Sequence, residues 1–200
     1  MKIRLAFVIC IFTVLSCKDE TNKRVDIPGE YFELEHDNID IYLPSYFQEF
    51  SEDAYGKLIE SFPDSEEKRI EKRRFDFLKY SKGNIYYFRD IASSTLISVK
   101  VSDFLPFTRE QSAQLASILS RSCSDYAEAV GLNCERLDAG YSGNVKTKVF
   151  KSSFRMNDGH GRSSYNTIYI ISSNYKTFAM NIYSTTNKNY NAYIEKIVVK

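Results

Sequence analysis

Apolar positions along the chain fall into two periods, and these predict the elements. Tyr31 to His36 alternates, and Ile39, Ile41 and Leu43 share one face of a second strand that Pro44 stops, because proline has no ladder donor. Tyr55, Leu58, Ile59 and Phe62 then recur at helical spacing behind the N-cap candidate Ser51, and Pro63 ends that helix. A second helix is expected from about Asp64, with Ile70, Phe77 and Leu78 on one side. Its run Glu66 to Arg74 reads as a solvated face, with Glu66–Arg69, Glu71–Arg74 and Lys72–Asp76 placed to pair. After Lys82-Gly83, Asn84 to Asp90 and Thr95 to Ser102 predict a hairpin whose second strand is covered on one side only or lies near an edge.

The longest helix is predicted from Thr108. Gln111 completes a capping box, Leu115, Leu119, Cys123, Tyr126 and Val130 form one stripe, and Gly131 stands at the C′ position. The last third is strand-rich. Cys134 to Tyr141 and Asn144 to Met156 flank a Ser142-Gly143 turn, and a change of apolar face between Val149 and Phe150 suggests a bulge. Ser163 to Ser173 is apolar on both faces and is expected to be a central strand, with Thr177 to Ser184 beside it. Asn187 to Val199 reads as a closing helix with Tyr190, Tyr193, Ile194 and Ile197 turned inward.

Strands and helices are segregated, which makes the expected class α+β: one mostly antiparallel sheet flanked by helices. The opening strand Ile39-Asp40-Ile41-Tyr42-Leu43-Pro44, the hairpin before the capped helix and the terminal strand and helix from Tyr175 to Val199 resemble the PsbP-like fold. That resemblance implies an α/β/α sandwich over residues 30–200, of a kind found mostly in accessory or binding modules. Fold by itself assigns no function.

The first sixteen residues read differently. Lys2 and Arg4 precede an apolar run from Leu5 to Leu15, whose eleven residues are too few to span a bilayer that needs ~20 helical residues. The size suits a signal peptide. Val14-Leu15-Ser16-Cys17 resembles the lipobox of bacterial lipoproteins, which implies cleavage before Cys17 and acylation of that cysteine. Lys18-Asp19-Glu20 is similar to the export signal of Bacteroidota-type surface lipoproteins and equally suits a solvated linker. The expected organisation is therefore a signal peptide over 1–16, a lipidated cysteine and tether over 17–29, and one globular domain over 30–200. The expected place is the outer membrane, facing either way.

Charge and cysteine content narrow the partners. Loss of Lys2 and Arg4 leaves 25 basic against 26 acidic side chains, a balance of −1 that argues against nucleic acid. Cys123 and Cys134 are then the remaining thiols. An oxidising envelope permits a disulfide between them, whereas the helical position of Cys123 suits a cysteine packed as a small hydrophobe; both readings stand.

Candidate chemistry is sparse. No HxxxH, CxxC, phosphate-loop or nucleophile-elbow motif occurs, and no cofactor is expected. Asp158-Gly159-His160-Gly161 is the one stretch where His160, beside Asp158, suits a base or metal ligand. The same residues are what a hairpin turn wants, and the turn reading is preferred. Fifteen Tyr and fourteen Phe without Trp suit strand packing first and a sticky surface second. The expected function is a non-catalytic, lipid-anchored envelope module that binds a partner protein through its sheet face or Tyr-rich last third. An immunity-type lipoprotein and a hydrolase using His160 are the alternatives.

Overall fold

The computed structural model describes residues 27–80, 82–159 and 161–200. Strands β1 (Glu30–Leu34) and β2 (Ile39–Leu43) form a hairpin that buries Leu34, Ile39, Ile41 and Leu43 completely. A short β3 (Gln48–Phe50) leads into α1 (Glu52–Glu60), where the Ser51 hydroxyl accepts the Ala54 N–H at 3.2 Å. Helix α2 (Glu66–Lys79) is capped in the same way by Ser65, one residue later than the sequence suggests.

The hairpin β4 (Ile85–Asp90) and β5 (Thr95–Ser102) follows, and then a 3₁₀ turn at Arg109–Gln111 opens α3 (Ser112–Ala129). The Thr108 N–H donates to the Gln111 side chain at 2.9 Å, and Gly131 adopts the positive φ of a C′ residue at 73°. Four long strands complete the sheet: β6 (Asn133–Gly143), β7 (Thr147–Asn157), β8 (Ser163–Ser173) and β9 (Lys176–Ser184). The chain closes on the single turn α4 (Asn191–Ile194) and β10 (Val198–Val199).

The fold is α+β with antiparallel sheets throughout. Seven strands run in the order β3-β4-β5-β9-β8-β7-β6, and β1-β2-β10 form a second, small sheet. On one face of the large sheet, α1 and α2 pack Tyr55, Ile59 and Leu78 against Tyr87 and Leu96, while α3 sets Ala116 and Cys123 against Phe150, Phe154 and Met156. The other face carries the main core. There Phe88, Ile97, Val99, Ile171, Phe178 and Met180 meet the small sheet and Ile194 of α4.

Several elements differ from the local pattern, each for a long-range reason. Strand β9 inserts between β5 and β8, so β5 is interior and buried on both faces, Ser98 included. The expected closing helix stops after one turn because Val198 and Val199 pair with Asp40 and Ile39, and the Lys200 N–H donates to Asn38 O at 2.9 Å. The bulge lies in β6, between Arg136 and Asp138, and β7 pairs with β8 without interruption. Val149 and Phe150 change faces simply because they serve two cores, one on each side of the sheet. On α2, Phe77 points outward at 75% exposure, and Phe75 joins the packed face instead.

Candidate functional site

A cleft of about 510 Å³ opens where α2, the turn after α3, the β4–β5 turn and the β7–β8 hairpin converge. That volume is within the range of small-molecule sites. Glu71 and Arg74 of α2 line it together with Tyr183 of β9, and Asp158, Arg162 and the hydroxyls of Ser163, Ser164 and Ser184 form its polar rim.

Glu71 and Arg74 are the surprise of the structure. Both lie in the segment whose charge pattern reads as solvated, yet both are more than nine-tenths buried. Arg74 Nη1 donates to Glu71 Oε2 at 2.7 Å, and the Tyr55 hydroxyl donates to Glu71 Oε1 at 2.6 Å. Arg89 reaches the Tyr55 hydroxyl at 3.3 Å, and the Arg74 guanidinium lies 3.6 Å over the Tyr183 ring. Burial opposes the charge of Arg74, yet Glu71 and then Tyr183 hold its pKa above the usual arginine value. Burial, and next the Glu71 carboxylate, push the Tyr55 hydroxyl far up, so it is a fixed donor rather than an acid. Glu71 and Arg74 pair with each other, Arg89 lies over the Phe62 ring at 4.8 Å, and the group clamps α1 and α2 to the sheet.

Asp158 sits on the rim and caps the β7–β8 hairpin. Its carboxylate accepts the Arg162 backbone N–H at 3.2 Å and Arg162 Nε at 2.9 Å, while Gly159 and Gly161 take positive φ. His160 and Cys17 lie outside the described residues. The cleft's Ser184 hydroxyl is bonded to the hydroxyls of Thr95 and Thr186, neither of which can serve as a base. Among the described residues, no group of three or more His, Cys, Asp or Glu side chains is placed to hold a metal ion. None of their helices is long and apolar enough to cross a membrane.

Cys123 of α3 is joined to Cys134 of β6 by a disulfide with Cα atoms 6.0 Å apart, within the span such a bond requires. Cys123 is at the same time a buried member of the cluster with Phe154 and Met156. The bond thus pins the C-terminal half of α3 to the edge strand.

The sequence pattern misses a second feature, at the opposite end of the sheet. Phe104, Leu105, Val145 and Tyr175 are exposed apolar side chains, at 45%, 64%, 97% and 83%, and they come from three loops at one end. Phe104 and Tyr175 meet edge to face at 5.7 Å, and Leu105 is held by hydrogen bonds of its N–H and C=O to Thr177 Oγ1 at 2.9 and 3.1 Å. The Thr147–Ser173 hydroxyl bond, 2.9 Å, brings the β6–β7 turn to the same end. The available signal was apolar residues standing outside any periodic element. Of the strand tyrosines, Tyr87 and Tyr169 are buried, and the Tyr86 hydroxyl donates to Asp37 at 2.7 Å, all of them packing roles.

No protein-family model matches the chain. No curated protein matches it either. Among solved structures it is similar to the solution structure of cyanobacterial PsbP (CyanoP) from Synechocystis sp. PCC 6803, with a TM-score of 0.59 and 10% identity over 88% of this chain and 95% of that one. At that identity the likeness is one of fold: the described residues share the α+β architecture of the PsbP-like fold.

Proposed function

We propose that this chain is a lipid-anchored, non-catalytic accessory protein of the bacterial envelope, which holds a partner protein close to the membrane. The lipobox-like Val14-Leu15-Ser16-Cys17 supports the anchor, and the mutually paired charges of the cleft support a structural rather than a catalytic use of Glu71, Arg74 and Asp158.

The observation that carries the reading is the loop end. Exposed apolar side chains gathered on loops that a scaffold positions are a mark of a protein-docking surface. Leu105 and Tyr175 stand beside the β1–β2 turn, because Lys176 Nζ bonds Asp37 O and Asn174 Nδ2 bonds Val199 O. The chain enters β1 at Glu30, the far end of that small sheet. A partner bound at the loop end therefore meets the domain on the side away from its attachment. Anchoring raises the local concentration of such a site, so modest contacts suffice.

The test is photo-crosslinking in the host from the intact lipoprotein. A crosslinking residue replacing Leu105 or Tyr175 is expected to give one discrete protein adduct, and the same residue replacing Ile118, exposed on α3, none. Equal adducts at all three positions, or none at any, would overturn the docking surface. Palmitate labelling that survives Cys17→Ala would overturn the anchor.

A further inference from the structure

The chain enters the domain across a tyrosine surface. Tyr31 and Tyr42, a cross-strand pair of β1 and β2, meet edge to face at 4.8 Å. Tyr42 stacks on Tyr193 at 6.1 Å, and Tyr193 leans on Tyr190 at 5.8 Å. Tyr46 stands beside them, close enough that Tyr193 and Asp90 reinforce the upward shift that burial gives its hydroxyl. Tyr31 and Tyr46 are each more than half exposed, and the Lys196 ammonium lies 4.5 Å over the Tyr42 ring.

This surface grips the start of the domain. The Tyr42 hydroxyl lies 3.0 Å from the carbonyl oxygens of both Ile27 and Gly29, and the Tyr193 hydroxyl donates to Pro28 O at 3.4 Å. Gly29 fits only because it lacks a Cβ, which would stand 2.5 Å from Leu43 O and 2.9 Å from the Tyr42 ring. Ile27 to Gly29 are thus pinned to the tyrosines.

We propose that this tyrosine face lies against the lipid headgroups, so that the loop end with Phe104 and Tyr175 points away from the bilayer. The inference rests on the acylated Cys17 of the proposed function. Nine residues, 18–26, separate that cysteine from Ile27, and the ten steps between the two cover at most ~36 Å when fully extended. A domain of this size is about 40 Å across, from a radius of gyration of about 16 Å. The pinned face is therefore the one the anchor holds nearest the membrane, and the opposite end cannot reach it by swinging round. The chemistry fits the location. Tyrosine, with an apolar ring and a polar tip, is enriched where hydrocarbon meets water, and a lysine beside it suits phosphate headgroups.

The chain has no tryptophan, so one introduced residue is a unique fluorophore. Lipoprotein purified with its acyl group and carrying Tyr46→Trp, Tyr31→Trp or Tyr175→Trp is reconstituted into phosphatidylethanolamine–phosphatidylglycerol vesicles, with or without lipids brominated near the headgroup. Quenching of at least twofold is expected for Tyr46→Trp and Tyr31→Trp, and none for Tyr175→Trp. Protein that floats with the vesicles yet shows equal quenching, or none, at all three positions overturns the orientation and leaves the anchor standing. Protein that fails to float overturns the anchor and the orientation with it. Greater quenching for Tyr175→Trp than for the other two would invert the proposed arrangement and overturn it directly.

Discussion

The hydroxyl of Tyr55 donates to Glu71 at 2.6 Å and so fastens α1 to α2 beneath the large sheet. Tyr55 is fully buried and stacks flat on Tyr87 at 4.7 Å, which fixes its ring against the sheet. Tyr55→Phe is expected to lower stability by ~1–3 kcal/mol, because it leaves a buried carboxylate oxygen without its donor. Arg74→Met alone should cost more, ~3–5 kcal/mol, by stranding the Glu71 charge. Glu71→Leu combined with Arg74→Met should recover part of that loss, since the ion pair is then replaced rather than broken and only the Tyr55 hydroxyl is left without its acceptor. Urea midpoints of the variants decide it; a double variant no better than Arg74→Met would refute the account.

The buried tyrosines make the protein sensitive to alkali. Burial raises the Tyr169 hydroxyl to about 12, while it donates to Asn191 Oδ1 at 2.8 Å; burial likewise pushes Tyr55, Tyr86, Tyr87 and Tyr190 upward. The sign follows from proton uptake. Below pH ~10 these groups are protonated in both states, and above it the unfolded chain ionises first. Stability is therefore expected to be level up to about pH 10 and to fall between 10 and 12. Tyrosinate absorbance followed beside the urea midpoint checks this; a midpoint that holds steady to pH 12 would contradict it.

Reduction of Cys123–Cys134 opens a loop with a sequence separation of 11, and the chain-entropy estimate for it is about 2–3 kcal/mol. Cys123 also packs with Phe154 and Met156, contacts that do not depend on the S–S bond. The expected result is a lowered urea midpoint in reductant with the fold retained, and a Cys123→Ala/Cys134→Ala protein whose midpoint is the same with and without reductant; a wild-type midpoint that reductant leaves unmoved would contradict it.

Gly29→Ala is expected to cost ~1–3 kcal/mol through overpacking. The added methyl would displace the Tyr42 ring and loosen its bonds to Ile27 and Gly29. Hydrogen exchange at the amides of Glu30–Leu34 should accelerate while that of β8 does not change. Uniform acceleration across the sheet would point to a global effect instead.

Local signals carried a good part of the fold. Ser51, the Thr108–Gln111 box and Gly131 mark helix ends because each satisfies backbone groups within its own turn, and the stripe Leu115–Leu119–Cys123 needs only a helical period to be visible. Apolar runs located the long strands, β8 by being apolar on both faces, whereas the turn expected at Ser142-Gly143 lies after Gly143, the last residue of β6. A three-residue β3 and a two-residue β10 are too short to show a period, and β10 exists only because β2 offers it an edge.

The order of strands was not local information. Whether β5 is covered on one side or both depends on β9, which arrives from some eighty residues later in the chain and pairs Ile182 with Ile97. The same holds for charge. Glu71 and Arg74 have the spacing of a solvated ion pair, and only the packing of α2 beside Tyr55 and Tyr183 takes them out of water. Phe104, Val145 and Tyr175 are scattered in the sequence and become one surface because three turns end at the same edge of the sheet. What one stretch of chain can satisfy within itself, the amino-acid order determines; what needs a partner from a distant stretch, only the folded sheet decides.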